Sequence, residues 1–434
     1  MSELAPLVVF SDDWGRHPSS CQHLMSHLLP TRPVVWVNTI GTRPPRLDRA
    51  TLIRAAEKLK QWARGSPNPP GPPSLRGKGG DAPTDLPGTI PTSAVSQDAA
   101  GRDHPSPPGG GAGGGVDHAS VSSSPAWPLA PRVLNPTMWP SFRGRFARGL
   151  NRRLLGRAVR AAVAELPAPP VVVTTLPVTA DLVGAFPAAR WVYYCVDDFA
   201  AWPGLDGRTL CDMEAELVSK VDAAVAVSEN LQLHLAKLGR PSHLLTHGVD
   251  LEHFRRAPGA LPESLRGLEA LPGPLVVFWG VIDRRMDAEF VRTLAGSLEA
   301  GTVVFVGPRH DPDPALLALP RVVARPTIPY ADLPALAARA AVLVMPYADL
   351  PVTRAMQPLK LKEYLATGKP VVVRDLPATR DWNDCLDATG SPEAFAAAVR
   401  ERLRDGVTAA QAAARARLDA EGWAAKAARF AAWL

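Results

Sequence analysis

Three side chains close together in the sequence have the types and spacing that suit phosphate and sugar chemistry. Lys360, Glu363 and Tyr364 lie three and four residues apart in the stretch RAMQPLKLKEYLATGKPVVV, so on a helix they share one face. Pro358 suits the first helical position, and Gly368 suits the position just past the last turn. The N-terminus of such a helix offers unpaired N–H groups to phosphate. Lys360 adds a positive charge, and Glu363 can accept hydrogen bonds from two sugar hydroxyls. The pattern indicates a nucleoside diphosphate pocket; the alternative is an ordinary helix–strand unit with one surface ion pair.

The elements that must position these side chains follow a regular alternation. Short runs of β-branched residues alternate with helical patterns along most of the chain. Such alternation predicts an α/β fold with parallel sheets covered on both faces. Two sets are present, which predicts two Rossmann-like doubly wound domains. Since ligands bind beyond the carboxyl ends of the strands in such sheets, the two domains are expected to face a cleft. Helices of the second half are expected at 284–299, 330–340, 358–367, 391–404 and 408–433.

Changes in composition predict the domain boundaries. Residues 65–126 contain 13 Gly, 12 Pro and 9 Ser and no aromatic residue, so they cannot offset their chain entropy by burial and are expected to form a disordered insertion. A Pro/Gly-rich stretch at 257–274 is the expected linker. The predicted division is 1–64 with 127–256 for the first domain, 275–410 for the second, and 411–434 for a C-terminal helix.

The overall composition is that of a globular protein with a modest positive charge. At 434 residues the chain exceeds one ordinary core, and its hydrophobic content is 46%. A net charge of +6 suits an anionic nucleotide, an acidic membrane surface or nucleic acid. Four cysteines without paired spacing indicate neither a zinc knuckle nor a disulfide framework, which is consistent with a cytoplasmic protein. We expect no secretory signal and no membrane span.

Several segments occur in the order found in one enzyme family. They are SDDWGRH at 11–17, YYCVDDFAAW at 193–202, HGVDLEHF at 247–254, VVFWGVIDRRMD at 276–287 and the 354–373 stretch. The series resembles the GT-B glycosyltransferases of the GT4-like set, the glycosyl transferases group 1, and bacterial teichuronic acid glycosyltransferases in particular. The resemblance implies a retaining hexosyltransferase that moves a sugar from a nucleotide-sugar donor to a glycan or lipid-linked acceptor in cell-surface polysaccharide synthesis. It also implies that the C-terminal helix returns to the first domain.

The end of the first strand of the second domain is the expected phosphate site. Gly280 lets the backbone approach a ligand closely, and Arg284 and Arg285 follow it. Arginine binds phosphate oxygens bidentately. By resemblance, one of the two occupies the place of the family's pyrophosphate-binding residue, with Lys360 as a second charge, and we prefer Arg285. As neighbours on a helix start they point about 100° apart, so only one is expected to face the cleft. A solvated helix start is the alternative.

The rest of the donor pocket is implied by the resemblance. Gly307 closes the next strand, and Tyr330 lies where the family places the nucleotide base. Glu363 matches the second glutamate of the family's E-x7-E pattern, which is expected to hold the ribose. Ala355 stands where the first glutamate is expected, a departure that leaves the sugar and the stereochemistry open.

Carboxylates that follow strands of the first domain are the candidates for the acceptor side. The pairs Asp12–Asp13 and Asp197–Asp198 would face the cleft, where a carboxylate could accept the proton of an acceptor hydroxyl, and Asp13 and Asp198 are the preferred candidates. The alternative is that they cap the following helices. His17 and His23 are further candidates, and no histidine occurs near Cys195, where the resembling family often has one.

The remaining predictions concern cofactors and partners. No cofactor or obligatory metal is expected beyond the nucleotide-sugar substrate, and the D-x-D form at 311–313 is discounted because it lies in a Pro-rich loop. Residues 143–160 contain seven arginines and no acid. We favour a core-facing series of Phe146, Leu150 and Leu154 with a solvated basic face; the alternative is peripheral contact with an anionic membrane. Nucleic-acid binding is not expected, because interleaved aromatic residues are missing.

One other function stays open at this point. The alanine at 355 and the missing histidine would also fit a catalytically silent GT-B-fold protein that serves as a binding or scaffold subunit.

Overall fold

The computed structural model describes residues 4–15, 19–38, 130–202, 204–257 and 259–434. The predicted insertion at 65–126 and the candidate His17 lie outside these residues.

A seven-stranded sheet forms the centre of the first domain. Its strands are parallel and lie in the order β3-β2-β1-β4-β5-β6-β7. They are β1 (Leu7–Ser11), β2 (Val34–Asn38), β3 (Arg132–Leu134), β4 (Val171–Thr174), β5 (Arg190–Cys195), β6 (Ala223–Ala226) and β7 (His243–Leu244). Its α-helices are α1 (Ser20–Leu28), α2 (Gly144–Val163), α3 (Gly207–Lys220) and α4 (Glu229–Lys237), with 3-10 turns at Pro177–Leu182 and Phe199–Ala201.

A six-stranded parallel sheet forms the second domain. Its order is β12-β10-β8-β13-β14-β15, and a separate two-stranded ribbon pairs β9 with β11. The strands are β8 (Leu275–Trp279), β9 (Ile282–Asp283), β10 (Thr302–Val306), β11 (Arg309–His310), β12 (Val322–Arg325), β13 (Val342–Met345), β14 (Val371–Arg374) and β15 (Asp387–Thr389).

Ten α-helices of the described residues follow the first domain. They are α5 (Leu251–Arg255), α6 (Ala288–Ser297), α7 (Pro314–Leu317), α8 (Leu333–Arg339), α9 (Pro351–Ala355), α10 (Leu359–Ala366), α11 (Pro377–Arg380), α12 (Pro392–Asp405), α13 (Ala409–Ala414) and α14 (Trp423–Ala431). Short 3-10 turns lie at Glu263–Leu265, Tyr330–Asp332 and Arg415–Glu421.

Each sheet carries its own hydrophobic core, and the chain crosses between the cores twice. The central strands β1 and β8 are buried along their whole length, as expected for strands covered on both faces. Near the C-terminus, Leu418 still packs in the second core, whereas Trp423 and Phe430 pack in the first. The Trp423 ring stacks on His23 at a centroid distance of 4.7 Å. The last helix is therefore in contact with the first domain.

The observed helix boundaries correct three predictions. Helix α6 begins at Ala288 and not at 284, because the Asp287 side chain accepts hydrogen bonds from the first backbone N–H groups and caps the helix there. Helix α10 begins at Leu359, so Pro358 is its N-cap residue. The single helix expected at 408–433 is divided into α13, a 3-10 turn and α14.

The buried face of α2 differs from the favoured interpretation. Phe146 is 81% exposed, whereas Ala147, Leu155 and Val159 are buried. The core-facing series is thus shifted by one residue.

Candidate active site

Lys360 and two glycines meet at the carboxyl end of β8. A Cβ at Gly280, which has a φ of +137°, would lie 2.6 Å from Lys360 Cε and 2.8 Å from Nζ. Behind it, a Cβ at Gly307 would lie 2.0 Å from the Gly280 carbonyl oxygen. Only glycine fits at either position, because any side chain would displace the lysine or the strand end. The structure therefore brings together three predicted residues beside the N-terminus of α10.

Tyr347 connects this lysine with Arg285. Lys360 Nζ donates to the Tyr347 hydroxyl at 2.6 Å, and Arg285 Cζ lies 5.7 Å from the centre of the Tyr347 ring. Sequence reasoning missed Tyr347. Its position two residues after β13, at the carboxyl edge of the sheet, is the signal that could have found it.

The two neighbouring arginines point in different directions. Arg284 is exposed, and its nearest acid is Asp311, at 3.5 Å. Arg285 is buried, and its Nε donates to both carboxylate oxygens of Asp283 at 3.0 Å. Its guanidinium carbon lies 4.5 Å from the ring centre of Trp202, a residue of the first domain. Both arginines lie in the turn before α6. Arg285 lies near the other candidate residues, whereas Arg284 is exposed and is not brought to them.

Glu363 lies on α10 next to the end of β8. Its Oε2 accepts a hydrogen bond from Trp279 Nε1 at 3.1 Å. Trp279 N donates to the Tyr364 hydroxyl at 3.0 Å, which fixes the strand end to the helix. Burial raises the pKa of Glu363, while the Trp279 indole and Lys360 act in the opposite direction. The carboxylate is thus held in one orientation and can accept hydrogen bonds from a ligand.

Tyr330 belongs to an aromatic cluster near this carboxylate. Its ring stacks on His253 at 4.5 Å, and its carbonyl oxygen lies 3.0 Å from His253 Nε2. Phe254 meets it edge-on at 5.7 Å. Burial, together with the negative charges of Glu363 and Asp250, raises the pKa of Tyr330, so the phenol stays neutral. A flat apolar surface of this kind can contact a nucleotide base.

The predicted acidic residues of the first domain have mostly structural contacts. Asp198 Oδ1 accepts from Ala201 N at 3.1 Å, which is the capping alternative. Asp13 lies in the turn after β1, and the preceding Asp12 accepts from Gln22 Nε2 at 2.7 Å. Asp197, which precedes Asp198 in the same predicted cleft loop, lies beside Trp202 and Arg285 with its Oδ1 buried.

Ala355, which stands where the family's first glutamate is expected, lies against the first domain. The Ala355 carbonyl oxygen accepts from Ser228 Oγ at 2.6 Å, and the Arg354 carbonyl accepts from the Asn230 amide. Arg354 itself pairs with Asp349. The end of α9 therefore contacts the start of α4 through its backbone.

Metal-ligand clusters and membrane-spanning helices are both absent from the described ranges. These ranges contain no group of three His, Cys, Asp or Glu side chains arranged to hold a metal ion. No helix within them has both the length and the apolar character needed to cross a bilayer.

Comparison with known proteins agrees with this geometry. Residues 273–405 match the model of the family described as glycosyl transferases group 1. A putative teichuronic acid biosynthesis glycosyltransferase, TuaH of Bacillus subtilis (strain 168), is 28% identical over 206 residues. That match covers 43% of this chain and 51% of the relative, so the chain spans about half the length of the curated relative it matches.

Solved structures resemble the chain over nearly its whole length. A sucrose-phosphate synthase from Thermosynechococcus elongatus has a TM-score of 0.62 at 15% identity, with coverage of 99% of this chain and 98% of the other. Anabaena Alr3699/HepE in complex with UDP and glucose has a TM-score of 0.60 at 13% identity, with 99% of both chains covered. The predicted GT-B fold is thereby confirmed. The predicted resemblance to the group 1 glycosyl transferases is confirmed as well, with the family match lying in the second domain.

Proposed function

We propose that this chain is a glycosyltransferase that moves a hexose-type sugar from a nucleoside diphosphate donor to a hydroxyl acceptor. The observation that carries the proposal is the meeting of Lys360 Nζ, the side-chain-free backbone of Gly280 and the N-terminus of α10. An ammonium group, open backbone and a helix N-terminus together favour a diphosphate. The family match of the second domain and the likeness to a fold that holds UDP and glucose support it.

The leaving group would be stabilised from the second domain. Negative charge grows on the diphosphate as the bond to the anomeric carbon breaks, so a positioned cation lowers the energy of the transition state more than that of the ground state. Lys360 supplies that charge, and its hydrogen bond to Tyr347 holds it in place. Asp283 forms an ion pair with the Arg285 guanidinium, so Arg285 acts as a second cation whose charge is partly neutralised.

The nucleoside would lie beyond the diphosphate. Glu363 would accept hydrogen bonds from the ribose hydroxyls, and the indole of Trp279 keeps its carboxylate in position. The aromatic surface of Tyr330 would border the base. No metal or further cofactor takes part in the proposed reaction.

The acceptor side of the proposal follows the resemblance. The acceptor is a glycan or lipid-linked glycan in cell-surface polysaccharide synthesis, as the name of the Bacillus relative supports. The reaction takes place in the cytoplasm at the inner membrane face and retains configuration at the anomeric carbon. Measurement of product configuration tests retention directly, because Ala355 removes one of the two glutamates expected near the donor.

Docking on an anionic membrane through α2 is a second part of the proposal. Phe146 and Trp139 are 81% and 49% exposed near the start of the helix. Exposed Arg153 and Arg157 lie on the same side of α2 as Phe146, about two and three turns further along the helix. Aromatic side chains beside arginines are typical of a surface that lies in the lipid headgroup region.

Vesicle sedimentation tests this docking. Arg153→Glu with Phe146→Ser is expected to abolish binding to vesicles that contain phosphatidylglycerol, whereas Arg292→Glu, at an exposed position on α6, is the matched control. Equal sedimentation of both variants would contradict the docking surface.

Nucleotide-sugar binding and turnover test the enzymatic proposal. Thermal shifts and calorimetry with UDP-, GDP-, ADP- and dTDP-sugars are expected to identify one preferred donor, and the purified protein is expected to release its sugar slowly to water. Tight binding without any turnover would favour the silent scaffold protein instead. Binding of none of these nucleotides would refute the proposed site.

A further inference from the structure

Lys362 is a buried lysine that the proposed reaction does not use. It lies on α10 between Lys360 and Glu363, and only 2% of its surface is exposed. Successive residues of a helix point about 100° apart, so Lys362 faces away from Lys360 and from the proposed diphosphate. Burying an ammonium group is costly unless it is paired and hydrogen-bonded. Its partners therefore show what the opposite side of α10 is attached to.

Lys362 contacts the first of the two segments in which the chain crosses between the cores. Leu245 packs in the first core and Val249 in the second, so the residues between them form the first crossing. Lys362 Nζ donates there to the His247 carbonyl oxygen and, at 3.2 Å, to Thr246 Oγ1. One side chain of the second domain thus holds the first crossing by two hydrogen bonds.

Lys362 also contacts the second crossing, which comprises residues 419–422. Its Nζ forms an ion pair with Glu421 in this segment. Lys426 of α14 forms an ion pair with the same carboxylate oxygen at 2.7 Å, and it donates to Thr246 Oγ1 at 3.0 Å. A lysine of the second domain, a lysine of the C-terminal helix and a single carboxylate thus meet between the two crossings.

We propose that Lys362 is a positioning residue, which fixes α10 against both crossings and so sets the orientation of the donor site towards the first domain. This inference rests on the function proposed above. The proposed donor contacts all belong to the second domain, whereas an acceptor held by the first domain must reach the anomeric carbon. A misplacement of about 1 Å between reacting groups can cost about a hundredfold in rate. Lys362 therefore influences transfer without touching the nucleotide.

The charges around Lys362 allow its removal without a large loss of stability. Lys362 and Lys426 share Glu421, so these three side chains hold one more ammonium group than carboxylate. Burial lowers the pKa of Lys362 to about 8, and Lys426 acts in the same direction, whereas Glu421 and Asp381 act against it. In Lys362→Met, Lys426 remains as the partner of Glu421, so no carboxylate is left unpaired. We therefore expect the melting temperature of this variant to stay within a few degrees of the wild type.

The kinetic test compares Lys362→Met with the wild type and with Lys426→Met. UDP-glucose is the donor probe and water the acceptor. We expect the kcat of Lys362→Met to fall about 10–100-fold, because the donor helix is less well oriented towards the other wall of the cleft. Calorimetric affinity for UDP should stay within about twofold, because the nucleotide contacts lie in the second domain. Lys426→Met is the matched control: it removes the other buried ammonium group and leaves the contacts of Lys362 in place, so its kcat should stay close to that of the wild type.

The distance between the domains gives a readout that does not depend on turnover. Cys211 on α3 is exposed, whereas the other three cysteines are buried, so it provides a label site in the first domain. Arg292→Cys, at an exposed position on α6, provides a label site in the second domain. With spin labels at both sites, the distance distribution should be broader in Lys362→Met than in the wild type, and unchanged in Lys426→Met.

The pH profile separates the ion pair from mere packing. Wild-type kcat should fall as the pH rises above about 8, because Lys362 loses its proton and its ion pair with Glu421 there, and this alkaline limb should be missing in Lys362→Met. His247 stays neutral at this contact, since burial lowers the pKa of its imidazole to about 3. Between a pH of about 8 and the ordinary lysine pKa of 10.5, the unfolded chain holds the Lys362 proton and the folded protein does not. This lysine therefore adds to stability as the pH rises, so its deprotonation does not unfold the protein.

Each other outcome overturns the assignment. Wild-type kcat and an unchanged distance distribution in Lys362→Met refute the positioning role and leave the proposed function standing. Parallel losses of kcat, UDP affinity and melting temperature in both lysine variants make the two lysines purely structural. If the wild type binds neither UDP nor any other nucleotide of the panel and releases no sugar, the proposed function fails, and the positioning role in the reaction fails with it. The label distances then still decide whether Lys362 fixes the two domains.

Discussion

Replacement of Lys360 by methionine tests the phosphate site most directly. Methionine keeps an unbranched side chain beneath Gly280 and removes only the ammonium group, which lies 5.3 Å from the Phe278 ring centre and 2.6 Å from the Tyr347 hydroxyl. We expect kcat for the preferred donor to fall about 10²–10³-fold, the usual loss when one positioned group that stabilises transition-state charge is removed.

The expected cost in stability is much smaller than the loss of catalysis. Lys360 is half-buried and gives up one hydrogen bond to Tyr347, worth about 1 kcal/mol. Its cation–π contacts with Phe278 and Tyr347 add about 0.5–1 kcal/mol. Melting temperature should therefore drop by only a few degrees.

Steady-state kinetics, calorimetry with UDP and UMP, and melting curves check this prediction together. UDP affinity should fall more than UMP affinity, because UMP lacks the second phosphate. Lys369→Met is the matched control, since Lys369 follows the same helix and its ammonium group donates to the Ala338 carbonyl at 3.1 Å. A loss of kcat below about fivefold, with UDP affinity unchanged, would show that the ammonium group does not face the diphosphate.

Two further predictions concern the same cleft. Glu363→Ala should weaken calorimetric nucleotide affinity about ten- to a hundredfold, the value of one charge-assisted hydrogen bond of roughly 1.5–3 kcal/mol, and unchanged affinity would refute the ribose contact. Arg285→Ala should slow turnover more than it weakens nucleoside monophosphate binding, whereas Arg284→Ala should be silent, because Arg284 is exposed towards Asp311; the reverse pattern in kinetic assays would place the wrong arginine at the cleft.

The layout of the fold could be predicted because each strand and helix has a local signal. Valine-rich runs such as Val34–Asn38 and Val371–Arg374 form buried parallel strands, as expected. Helix starts were less predictable. The helix predicted at 284–299 included two arginines, but the side chain of Asp287 caps the helix, which therefore begins four residues later, at Ala288. The buried face of α2 was also misplaced, because Phe146 follows the helical period and yet lies outside the packed face.

Some residues of the candidate site could also be predicted from the sequence, and others could not. Lys360 and Glu363 lie in one short helix, so their common face follows from spacing alone. Gly280 could be found because a glycine at a strand end has few other reasons to be there. Tyr347, Asp283 and Trp202 could not be found so easily, since they approach only when separate strand ends come together in the folded protein.

The acceptor side of the proposed reaction depends on contacts between the two domains. The proposed diphosphate contacts all come from the second domain, so they persist wherever that domain is folded. The first domain meets this part of the second domain through contacts that include the stacking of Arg285 on Trp202 at 4.5 Å. Weakening that stacking should therefore impair transfer before it impairs nucleotide binding. Trp202→Ala should accordingly lower kcat while calorimetric UDP affinity is kept, and an equal fall in both would show that the two domains form one inseparable nucleotide site.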